Sequence, residues 1–198
     1  MKRFPSCMAL LLAVVASLPA ADDASKVKIK GDKVVVADKS KPVRAALEAQ
    51  YAKLAEAVRN KDFDAFQAVR TADFSAIDEN GRRQPAEAMA LRARTLLERI
   101  QPPIETSFTI GTIDLQGDRT VATVRQYFSR MQEMAGALRK VENHVTQDET
   151  WILTSEGWKL HFVENVRDPE KLVDGKRVDP SRPFDPNAPA WQPPGKER

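Results

Sequence analysis

The sequence holds one cysteine, Cys7, and two histidines, His144 and His161, among 198 residues. These shortages exclude several chemistries. A lone cysteine forms no disulfide within the chain. No pair of histidines or cysteines has metal-ligand spacing, so no metal site is expected. No serine sits in a Gly-x-Ser-x-Gly context, and no glycine-rich loop follows a strand to cradle phosphate. Nucleophilic catalysis of the serine or cysteine kind and nucleotide binding therefore lack support, and no cofactor is expected. Excess charge is also scarce. Of 31 basic and 28 acidic residues, two basic ones, Lys2 and Arg3, belong to an apparent leader. The remainder, 29 against 28, is nearly neutral. Nucleic acid and anionic membrane lose their main attraction as partners.

The leader is Lys2 and Arg3, then an apolar run over residues 8–18, then Leu18-Pro19-Ala20 with small residues for cleavage. This is a secretory signal pattern, too short to span a membrane as an ordinary helix. Residues 1–20 are expected to be removed, and Cys7 with them. An exported protein without disulfides suits a bacterial periplasm or the exterior. The mature chain should begin near Ala21 and have no membrane attachment.

Four segments are expected: the leader 1–20, a polar lead-in 21–42, a domain over 43–167 and a proline-rich tail over 168–198. The lead-in has one alternating patch, Val27, Ile29, Val34 and Val36, which reads as solvated chain or as a small edge hairpin. The tail has seven of the thirteen prolines, too few apolar residues for a core, and reads as extended chain. Its Trp191 is either free or an anchor docking the tail on the domain.

Within the domain, Val43, Leu47, Tyr51, Leu54 and Val58 recur at steps of four and three, the apolar stripe of a helix. Asn60-Lys61-Asp62 breaks it. A short second helix carries Phe63, Phe66 and Val69. Residues 74–78 read as a strand ending in a turn at Glu79-Asn80-Gly81. Pro85 opens a third helix, and Pro102-Pro103 stops it. Strands follow, with a bulge expected at Gly111, a strand over 119–130 and a wide connection over 131–138.

The segment 144–168 is the organising hairpin, with its turn at Thr154-Ser155-Glu156-Gly157. Even loop lengths pair residues whose numbers sum to 311. Alternation then puts Val145, Trp151, Leu153, Trp158, Leu160, Phe162 and Val166 on one face, with Gln147, Glu149 and Glu164 as its polar members. His144, Asp148, Thr150, Lys159, His161 and Val163 take the other. Glu149 and Glu164 would lie diagonally, roughly 7–8 Å apart. Carboxylates on a buried face need a partner, and pairing with Arg125 or Arg130 competes with a functional role.

The order helix, short helix, strand, long helix and four strands carries motifs that match a known pattern. They are Ala57-Val58 with Asp62-Phe63-Asp64-Ala65-Phe66, Ala72-Asp73-Phe74, Gly81, and Trp151 with Gly157-Trp158-Lys159-Leu160. Over residues 43–167 the chain resembles the nuclear transport factor 2-like superfamily, which includes ketosteroid isomerase and the polyketide cyclases. The resemblance implies an α+β fold, a curled antiparallel sheet forming a cone over three N-terminal helices. It also implies a pocket, and a homodimer through the outer sheet face. By the isomerase pattern Asp78 would be a base and Glu149 a hydrogen-bond donor. The isomerase tyrosine is missing: Leu54 stands at its place and Tyr51 almost a turn earlier. Ligand-facing residues would be Tyr51, Leu54, Trp151, Phe162 and Glu164. Two readings stay open. One is an exported domain binding a small apolar molecule. The other is a metal-independent isomerase, cyclase or dehydratase moving a proton on a small carbonyl compound. A pocket of several hundred Å³ shared by Asp78 and Glu149 would favour the second.

Overall fold

The computed structural model describes residues 40–78, 81–179 and 182–191. The leader, the patch at Val27–Val36 and two residues of the turn after Asp78 lie outside the described residues. Helix α1 spans Ser40–Asn60, and its stripe buries Leu47, Tyr51, Leu54 and Val58. Lys61 ends it in a left-handed conformation, φ 56°. There Lys61 N donates to Val58 O at 3.2 Å and Asp62 N to Ala57 O at 2.8 Å, closing the last turn. Asp62 then caps α2, Phe63–Ala68, by accepting from Ala65 N at 2.9 Å.

Strand β1 runs Arg70–Ile77, starting earlier than residues 74–78. A two-residue β2, Arg83–Gln84, and helix α3, Ala86–Arg99, follow. The long strands are β3 (Gln101–Gln116), β4 (Arg119–Met134), β5 (Ala137–Thr154) and β6 (Gly157–Val173). A short β7, Lys176–Arg177, pairs with the end of β6. The sheet order is β2-β1-β6-β5-β4-β3. All pairs are antiparallel except β1 on β6, which is parallel, so the sheet is mixed rather than purely antiparallel. It curls without closing over the three helices, and the core lies between.

Three expectations need correction. The wide connection over 131–138 is a tight turn: β4 and β5 continue to Ala135 and Gly136, at φ 50° and 74°. Positive φ at both turn residues matches the twist of the flanking strands. The domain does not stop at 167, because β6 and β7 carry the sheet to Arg177. The tail is not wholly detached either: Trp191 N donates to Arg177 O at 3.0 Å, so the chain returns to the sheet there.

The Gly111 bulge is present as a register shift between Ile110 and Ile113. A Cβ at Gly111 would meet Thr123 O at 3.3 Å. From α1, Arg44 holds both sides of the bulge, donating to Ile110 O and Gly111 O at 2.7 Å each.

The β5–β6 hairpin decides what faces the core. From Thr154↔Gly157 to Trp151↔Leu160 the pairs sum to 311, as expected. The next pair is Thr150↔Phe162, so His161 is an extra residue in β6. Two more shifts follow nearer the start of β5, beside Asn165 and Asp168 at φ 49° and 51°. One inserted residue moves every later side chain to the other face.

Candidate functional site

Glu149 points inward from β5 between Gln147 and Trp151, and its residue exposure is only 2%. Three donors hold its carboxylate. Tyr51 Oη reaches Oε2 at 2.6 Å, Gln147 Nε2 reaches Oε1 at 2.6 Å, and Trp151 Nε1 reaches Oε2 at 3.2 Å. Tyr51 is fixed in turn by Phe108, whose ring stacks at 4.6 Å, and by the edge of Trp151 at 5.3 Å. Tyr51, on the buried stripe of α1, is thus the helix residue that reaches Glu149, whereas Leu54 lines the cavity.

Burial raises the Glu149 carboxyl above the ordinary glutamate value; the three donors and the charge of Arg70 oppose that and do not cancel it. Burial also raises Tyr51 well above its ordinary value, helped by the charge of Glu149. The pair therefore favours a protonated phenol, with the carboxyl more readily protonated than an exposed one.

Glu149 forms part of the wall of a cavity of about 60 Å³ between helices and sheet. Leu54, Phe66, Phe74, Leu97, Phe108 and Phe128 are among its apolar walls, and its polar members are Arg70, Thr106, Gln126, Gln147 and Glu149. The volume is far below several hundred Å³, and four phenylalanines, Phe66, Phe74, Phe108 and Phe128, crowd its wall. A wider open groove of about 530 Å³ lies outside, by the β5–β6 turn, and shares Arg70 and Phe74 with the cavity.

Leu54 lines the cavity as expected, while Tyr51 and Trp151 stand behind Glu149 rather than in the wall. Phe162 and Glu164 do not join it. The His161 bulge turns Val163 inward in their place. Phe162 meets the Arg83 guanidinium, 5.0 Å from its ring centre, and Glu164 lies opposite Asp148 on the outer face. That face is polar: Asp148 takes Thr123 Oγ1 at 2.8 Å and Arg167 Nη2 at 2.7 Å, and Tyr127 Oη donates to Glu142 at 3.0 Å.

Asp78 is also not in the cavity wall, although its neighbour Ile77 is. Its carboxylate closes the β1–β2 turn, accepting from Arg82 N at 2.9 Å and from Gln84 Nε2 at 2.6 Å. Its backbone adds Asp78 N to Arg82 O and Gly81 N to Asp78 O, both at 2.9 Å. An aspartate whose oxygens are spent on a turn is a poor base for a ligand in another compartment. Asp78→Ala is expected to lower stability by about 1–3 kcal/mol, through a lost buried acceptor. Urea unfolding checks this, and an unchanged midpoint would remove the turn-closing role.

Neither histidine approaches the cavity wall. His144 packs on Tyr127 at 4.8 Å, and His161 Nδ1 lies 3.1 Å from Thr71 Oγ1. Sequence reasoning does not single out Arg70. The only trace is its spacing, four residues from Phe66 and four from Phe74. Those rings flank its guanidinium at 4.0 and 4.4 Å.

No protein-family model matches the sequence, and no curated protein matches it. Solved structures do match the backbone. A conserved protein from Planctomyces limnophilus aligns with a TM-score of 0.53 at 18% identity, over 65% of this chain and 98% of its own. A proposed dehydratase of the nuclear transport factor 2-like family, from Streptomyces avermitilis, gives 0.51 at 14% identity, over 61% and 93%. A type 2 hexachlorocyclohexane dehydrochlorinase gives 0.53 at 12% identity, over 74% and 95%. Helix order, sheet order and these superpositions together show that the chain has the nuclear transport factor 2-like fold.

Proposed function

We propose that this chain is an exported small-ligand-binding domain, in which the cone cavity takes a small, mostly apolar molecule through one polar group. The observation that supports it is a carboxyl, Glu149, set in a wall of aromatic and aliphatic side chains and held by three donors. The few polar groups of such a wall, Arg70 among them, orient whatever occupies the space beside them. The small volume favours binding over turnover of a bulky substrate. Export rests on the leader pattern, and the outer sheet face, being polar, suits only a weak homodimer.

A second reading is a metal-independent dehydratase or isomerase. What favours it is the pairing of Tyr51 with Glu149, whose carboxyl is shifted upward toward the range of a proton-transfer group. Two proteins of similar fold are described as a dehydrochlorinase and a proposed dehydratase. In this reading Glu149, not Asp78, would move the proton.

Native mass spectrometry of protein purified from its own source tests the binding reading. The expected result is a small organic adduct that is released on denaturation. Recovery of only the bare chain mass, with no adduct formed on adding small apolar acids or carbonyl compounds, would refute it.

A further inference from the structure

We propose that the ligand's polar group is recognised by Arg70, and that the ligand class is a short-chain monocarboxylate lying with its apolar body among the aromatic walls. This rests on the binding reading above and makes it specific.

Arg70 opens β1 and contributes to the cavity wall beside Phe66 and Phe74. The two rings clasp its guanidinium plane, which fixes its direction. Among the described residues its one side-chain hydrogen bond is long, Nη1 to Gln67 Oε1 at 3.4 Å. Its Nε is buried and has no hydrogen-bond partner among the described residues. Among the described residues no carboxylate pairs with it within salt-bridge distance. Glu149 shares the cavity and influences Arg70 through its charge, but its oxygens are taken up by Tyr51, Gln147 and Trp151.

Arg70 keeps some exposure and also lines the open groove, but its Nε is enclosed, and an enclosed donor left unmatched is costly. Burial pulls its pKa down to about 9, and Glu149 only partly offsets that. A ligand carboxylate would supply what is missing, since a guanidinium presents parallel N–H donors to two oxygens. Phosphate or sulfate fits less well, because Arg70 is the one cation among the described lining residues and Glu149 beside it disfavours a second negative charge. A cavity of about 60 Å³ has room for roughly four to six non-hydrogen atoms, at 10–15 Å³ for each water-sized sphere. That range spans acetate, propionate and butyrate.

The test is a chemical-shift titration of the full chain with butyrate and with butyramide, which have the same number of non-hydrogen atoms. Butyrate is expected to bind at least tenfold more tightly, shifting resonances of the cavity residues. Arg70→Met keeps the apolar stem between the two rings and should erase the difference, with the folded state verified by circular dichroism. Equal affinity for acid and amide would overturn the Arg70 assignment and leave the cavity-binding reading in place. Butyrate binding of unchanged affinity in Arg70→Met would overturn it too. Binding of neither compound would sink both. The acid–amide comparison on the unmodified chain needs no variant to fold.

Discussion

Trp151→Ala is expected to lower the free energy of unfolding by about 3–5 kcal/mol, the range for deleting a large aromatic from a packed core. Trp151 has no exposed surface. It supports the Tyr51 ring edge-on and donates to Glu149 Oε2. Removal therefore opens a void and deprives a buried carboxyl of a donor. Domains of this size hold about 5–15 kcal/mol in total, so the variant would sit near the edge of folding. Urea denaturation with equal slopes for variant and parent checks it. Leu153→Ala is the control: two positions along the same strand, Leu153 is 47% exposed and should move stability by no more than about 0.5 kcal/mol. A Trp151→Ala loss below 1 kcal/mol would mean that the hairpin is not the centre of the core.

Why the hairpin was readable near its turn and not farther away has a physical cause. Turn residues leave chemical marks, so Thr154 to Gly157 set the register through Trp151↔Leu160. A bulge leaves almost none. His161 is followed by Phe162 and Val163, both apolar, and either could face inward. Alternation alone selects Phe162, whereas packing selects Val163. The one bulge carries both Phe162 and Glu164 off the inner face. Glu149 faces inward as alternation predicts, because β5 keeps its period of two through Gln147, Glu149 and Trp151. Tyr51 was visible as part of the α1 stripe, but its reach to Glu149 depends on how the helix sits across the sheet. Asp78 illustrates a different limit. Family spacing put it at the end of β1, and it is there, but spacing does not tell which way a carboxylate turns. Arg70 was hidden because an isolated arginine in sequence reads as surface charge; only its two flanking rings and its unpaired Nε mark it as part of a site.

The remaining large effect concerns Glu149, where two substitutions of similar size should diverge. Glu149→Leu leaves Tyr51 Oη, Gln147 Nε2 and Trp151 Nε1 without their acceptor. Each buried donor left unmatched costs about 1–3 kcal/mol, so a total loss of about 3–5 kcal/mol is expected, since Tyr51 and Gln147 can partly reorient. Glu149→Gln keeps an oxygen for Tyr51 and Trp151, and a flipped Gln147 amide can accept from the new amide group. Its loss at neutral pH should be small. Acidity separates the two roles of the native carboxyl further. Burial raises the folded-state pKa above the ordinary value of 4.5, so the native state holds this proton more tightly than the unfolded chain does. The contribution from that proton is fully present below the unfolded value. It is lost as pH rises through the elevated folded value. Parent stability minus Glu149→Gln stability should therefore fall across that window, from weakly acidic toward neutral pH. Urea midpoints measured at closely spaced pH values decide it. A difference that rises with pH instead would show that the three donors outweigh burial, and that Glu149 stands ionised as a fixed acceptor rather than poised near protonation.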